Sequence, residues 1–129
     1  MVAESVVENV REYLRACHED GIPVSFGVLF GSHATGKNHE WSDIDLIVVS
    51  PLYDTKYTHN DVSRLWVLAG RAHHRIEPIP CGEKQWETDD GSVIIEVARR
   101  EGRRIDLAEE PAVEPRRRRP RASKSRRSA

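Results

Sequence analysis

Residues 26–49 read FGVLFGSHATGKNHEWSDIDLIVV. An apolar run from Phe26 to Phe30 stops at Gly31-Ser32, and a polar loop leads to a second run through Ile44, Leu46, Ile47, Val48 and Val49. Asp43 and Asp45 open that second run. In a strand, positions i and i+2 face the same way, so both carboxylates project from one side. Two carboxylates pointing together repel unless a cation neutralises them, and hard oxygen ligands suit Mg²⁺. Gly31 lets the backbone approach a ligand closely, and a turn after the first strand aims N–H groups at phosphate. A phosphate-gripping turn beside a metal-holding pair indicates a nucleoside-triphosphate site. The plainer alternative is that the aspartates cap a surface turn.

On either side of this stretch the pattern is that of a small α/β domain. Val6, Val10 and Leu14, with Val7 and Cys17, fall at helical spacing, and Ser5-Val6-Val7-Glu8 has capping-box spacing, so a helix is expected over residues 5–19. Strands are expected over 24–30 and 44–49, as neighbours, with Ser25 and Gly27 small enough for a helix to pack closely above. A short helix at 32–36 would turn its N-terminus toward the phosphates. A polar loop over 51–60 precedes a helix over 60–70, capped by Thr58 or Asn60, whose inward face is expected to be Val62, Leu65, Trp66 and Ala69. A third strand is expected over 75–79, with Ile76 on one face and Glu77 on the other; Pro78 and Pro80 place it at an edge. A short turn at EKQWE, a helix over 92–101 with Val93, Ile94, Val97 and Ala98 inward, and a short strand at 104–107 complete the pattern. The expected fold class is α/β (α+β), a mixed sheet with helices mainly on one face.

The formal net charge of −1 conceals a division. Residues 115–129, PRRRRPRASKSRRSA, carry +8, leaving 12 basic and 21 acidic side chains elsewhere, a net −9. Residues 1–107 are read as one domain and 108–129 as linker and disordered basic tail. An arginine block without interleaved aromatics favours contact with nucleic-acid backbone over base reading; docking on an acidic partner and a solvated extension remain open. No apolar stretch is long enough for a membrane span, and the amphipathic, acidic first helix is unlike a secretory signal. Two cysteines, Cys17 and Cys81, are expected to be unpaired in a reducing cytoplasm.

Gly31-Ser32, ten intervening residues, then Asp43-Ile44-Asp45-Leu46 resembles the signature of the polymerase-beta-type nucleotidyltransferase superfamily. Within it the chain is similar to the small stand-alone minimal nucleotidyltransferases of bacteria and archaea, across residues 5–107. The resemblance implies that Asp43 and Asp45 hold two Mg²⁺ ions bridging a triphosphate, and that a later neighbouring strand supplies a third carboxylate as base or shared ligand. Glu77 is the candidate, with Glu83 as the fallback. Gly31 and Ser32 would grip the β- and γ-phosphates, while Ser42 buttresses the turn before Asp43 or touches the nucleotide. Many relatives carry arginine where this chain has Thr35, and Lys37 would supply that charge without arginine's bidentate fork. His33 and His39 are either phosphate or base contacts or merely solvated, and Trp41 stacks on a base or packs under the loop.

The resemblance further implies transfer of AMP from ATP to a hydroxyl. Residues 108–129 are too short and too basic to form the extra helical domain of relatives that modify small molecules, so the acceptor platform is expected on a second chain. Minimal nucleotidyltransferases are often encoded beside an all-helical HEPN-type ribonuclease, and some act as antitoxins by adenylylating a tyrosine of that toxin. The competing readings are a non-catalytic, antitoxin-like binding protein with a degenerate nucleotide pocket, and a nucleic-acid-binding protein acting through residues 115–129.

Overall fold

The computed structural model describes residues 4–35, 42–73, 75–88 and 91–108. Lys37, His39, Trp41, His74 and the basic tail lie outside the described residues, as do the expectations attached to them. The elements run α1 (Glu4–Glu19), β1 (Phe26–Phe30), α2 (Ser32–Thr35), β2 (Ile44–Val49), a 3-10 turn (Pro51–Asp54), α3 (His59–Ala72), β3 (Ile76–Cys81), α4 (Glu83–Thr88), α5 (Val93–Glu101) and β4 (Arg103–Ile105). The four strands form one sheet in the order β3-β2-β1-β4. β1 pairs antiparallel with β2 and β4, whereas β2 and β3 are parallel. The fold is therefore α/β with a mixed sheet, as expected, and the proline-bearing β3 is an edge strand.

Alternation along β2 divides the core. Ile44, Leu46 and Val48 join Val10, Leu14, Leu65 and Ala69 beneath α1 and α3. Ile47 and Val49 face the other way and meet Val28, Cys81, Ile95 and Ala98. β1 is interleaved similarly, and Gly27 matters by its size: a Cβ there would sit 2.8 Å from Leu14 Cδ1. The two long helices share one face, as expected, but α5 lies on the opposite face. The reason is the connection: from Gly102 the chain turns directly into β4, paired to β1, and the residues of α5 that meet the sheet are Ile95 and Ala98.

Several helical assignments change in detail. α1 already includes Glu4, so Ser5 lies inside it rather than capping it. The buried stripe of α3 is Leu65, Leu68 and Ala69, and Trp66, one residue's rotation away, is 49% exposed. On α5 the inward pair is Ile95 and Ala98, leaving Val93 and Ile94 on the surface. Both stripes are narrow, and a position one step along the chain is turned about 100° from its neighbour. The turn at residues 83–87 is a helix, α4, whose N-terminal amides of Lys84 and Gln85 donate to the Asp54 carboxylate (2.9 and 3.3 Å). Thr58 caps α3 in a reciprocal capping box with Asp61. Cys17 and Cys81 are both buried, in the cores on opposite faces, and are not joined to each other by a disulfide.

Candidate active site

The face of the sheet that meets α5 turns from apolar to acidic along the strands. On β2 the row Val49, Ile47, Asp45 continues to Asp43, and on β3 the row Cys81, Ile79 continues to Glu77. The parallel register pairs Asp45 with Glu77, and β1 brings Phe30 opposite Asp45 from the other side. A period of two on adjacent strands thus gathers three carboxylates separated by up to 34 positions in sequence.

Mutual electrostatics show how close they are. Glu77 shares a hydrogen bond with the Asp43 carboxyl. That bond, then partial burial, then the charges of Asp43 and Asp45, hold the Glu77 carboxyl above the usual carboxylate range. Asp45 is half-buried and also raised, first by loss of solvent and second by Asp43, with His33 opposing. Among the described residues no three histidine, cysteine or acidic side chains form a ready-made metal cage. The donor set nonetheless fits a hard divalent cation: oxygen ligands on one face, with like-charge repulsion that such an ion would relieve.

Gly31 follows β1 directly and has a left-handed φ of 80°. A Cβ built there would collide with Asp45 Oδ2 and lie 3.3 Å from Asp45 Cγ. Glycine is needed twice over, for backbone conformation and for room beside the carboxylate. Ser32 begins the four-residue α2. His33 is buried, 8% exposed, and its Nε2 lies 3.4 Å from the Ser42 carbonyl. A carbonyl only accepts, so Nε2 carries the hydrogen. Ser42, half-buried, meets this part of the site through its backbone.

The structure therefore brings together Gly31, Ser42, Asp43, Asp45 and Glu77. It removes Glu83 from consideration: that residue starts α4, beyond the far end of β3, where Ser25 Oγ donates to its carboxylate. It also overturns the reading of His33 as a solvated loop residue. Its single position in a loop gave no periodic signal of burial. A separate groove at the β4 edge, lined by Val7, Arg11, Arg103 and Asp106 among others, touches none of these residues.

A small mixed sheet carrying paired carboxylates on its second strand, beside a tight turn closing the first, defines a nucleotidyltransferase-type scaffold. The nucleotidyltransferase domain family matches residues 8–128, and the chain belongs to that family. No curated protein matches it significantly. Among solved structures it is similar to a proposed nucleotidyltransferase from Sulfolobus solfataricus, with 17% identity and a TM-score of 0.50, over 63% of this chain and 70% of that one. It is also similar to a toxin–antitoxin structure with AMP-PNP, with 21% identity and a TM-score of 0.52, over 76% of this chain and 70% of that one. Both likenesses concern the fold. Among the described residues no helix is long and apolar enough to cross a membrane.

Proposed function

We propose that this chain is a Mg²⁺-dependent nucleotidyltransferase that moves AMP from ATP onto a hydroxyl of a partner protein in the cytoplasm. The observation that carries the proposal is the cross-strand group Asp43, Asp45 and Glu77 against the left-handed Gly31. Asp43 and Asp45, with Glu77 as shared ligand, would hold the divalent ions. Bound there, those ions supply positive charge at the transferring phosphate and lower the pKa of the acceptor hydroxyl. Gly31 and Ser32 offer backbone N–H groups to the β- and γ-phosphates, with Ser42 bracing the turn before Asp43 and Lys37 adding charge to the loop. As the acceptor oxygen bonds to the α-phosphorus, the bond to the bridging oxygen breaks, pyrophosphate leaves, and the acceptor proton passes to Glu77.

A helical, HEPN-type toxin is the partner we favour. The resemblance to minimal nucleotidyltransferases supports it, as does the fold shared with a toxin–antitoxin structure containing AMP-PNP. A second reading, a non-catalytic binding protein, is favoured by Thr35 where relatives carry arginine. Incubation with Mg²⁺, cell extract and ATP labelled at the α- or the γ-phosphate tests the proposal. Label from the α position alone should enter protein; label from the γ position would indicate phosphoryl transfer instead, and no label from either would favour the binding protein.

A further inference from the structure

The peptide planes on either side of Asp43 are both pinned by groups from other elements. The plane joining Asp43 to Ile44 is held by Ile44 N, which donates to the Arg75 carbonyl at 2.8 Å. The plane joining Ser42 to Asp43 is held by the Ser42 carbonyl, which faces His33 Nε2 at 3.4 Å. The first plane sets ψ of Asp43 and the second sets φ, and together these two angles aim the side chain. The β1–β2 ladder cannot do this, because its last pair is Phe30 with Asp45 and Asp43 lies beyond it. Asp43 is itself exposed, so packing does not fix its backbone either, and its carboxyl is met from β3 by Glu77.

From this geometry we infer that His33 is a positioning residue, which fixes the Asp43 carboxylate by holding the peptide that precedes it and so couples the phosphate-gripping turn to the metal-binding strand. The inference rests on the nucleotidyltransferase reading of the same site. His33 is suited to the task on three counts. It sits on α2, one residue past Ser32, so any shift of the turn is transmitted to it. It is 8% exposed, so solvent competes little for its N–H. A positive charge on its ring would also favour the Asp45 carboxylate, against the upward shift caused by burial and by Asp43. The role belongs to Nε2–H as donor and needs no change in protonation.

Three substitutions separate positioning from packing. His33→Ala removes both donor and volume, His33→Phe keeps a ring without a donor, and His33→Gln keeps an amide donor of similar reach. In the full chain, Mg²⁺–ATP affinity by calorimetry and the thermal midpoint of the metal-free protein are measured for each. The affinity of His33→Phe should fall roughly three- to tenfold, the scale of one net hydrogen bond, while its midpoint stays near that of wild type. His33→Gln should recover most of the affinity, and His33→Ala should lose both affinity and stability. Wild-type affinity in His33→Phe would overturn the positioning role and leave the site reading intact. Failure of Gln to improve on Phe, when both fold, would overturn it equally. A wild-type protein that binds no Mg²⁺–ATP would overturn the site reading and the positioning role together.

Discussion

The backbone of Gly31 lies so close to the Asp45 carboxylate that no side chain fits between them. The two residues close β1 and open β2, so the contact joins the turn to the acidic strand. Gly31→Ala must therefore distort a left-handed backbone and push the carboxylate aside. The conformational part alone costs roughly 1–2 kcal/mol. Denaturant unfolding should show a loss of at least that size, accompanied by loss of Mg²⁺–ATP binding. Unchanged stability would mean that the turn does not hold this geometry in solution.

Carboxyl groups raised in the folded state give a pH dependence of defined sign. Asp45 and Glu77 bind their protons more tightly when folded than when unfolded. Their effect is absent below the unfolded carboxylate range near about pH 4. As pH rises from there through the folded values, the metal-free protein loses stability. Asp45→Asn removes one such group, so its thermal midpoint should gain on wild type as pH rises and match it in acid. Saturating Mg²⁺ should restore the wild type at neutral pH. A difference in midpoint that shrinks as pH rises would contradict this assignment.

Glu77 and Glu83 are separated by the length of β3, and their variants should differ accordingly. Glu77→Gln should lower transfer by roughly 10²–10⁴-fold if Glu77 takes the acceptor proton. Glu83→Gln should leave transfer unchanged, since its carboxylate meets Ser25 at the other end of the sheet. Steady-state label transfer by the two variants checks the assignment. If Glu77 is chiefly a metal ligand, Mg²⁺ affinity should fall as well.

The basic residues 115–129 give a prediction independent of catalysis. Eight cationic side chains within residues 115–129 should give nucleic-acid binding a log–log salt slope of roughly −3 to −7. Truncation before Pro115 should abolish that binding and leave Mg²⁺–ATP affinity unchanged. Affinity that ignores moderate salt would exclude a phosphate-backbone contact.

The sheet and the acidic pair were legible because period-two alternation and the Gly31-Ser32 break are local signals. Pro78 and Pro80 likewise revealed an edge strand by what they lack. The pairing of Asp45 with Glu77 was only partly legible, since register between distant strands leaves no mark in sequence. Trp66, Val93 and Ile94 were misplaced because a narrow helical stripe leaves an apolar residue beside it without a distinguishing pattern. The burial of His33 was not legible, as it depends on a contact with the Ser42 carbonyl across nine positions.

Whether Asp45 serves a metal-dependent transfer is tested most directly by one paired assay. Wild-type and Asp45→Asn proteins, both verified as folded, are incubated with α-labelled ATP, Mg²⁺ and the partner protein. Wild type should place label on the partner and Asp45→Asn should lose most transfer, because a neutral amide of nearly equal shape replaces an anionic ligand. Wild-type-like transfer by Asp45→Asn would contradict that role for Asp45.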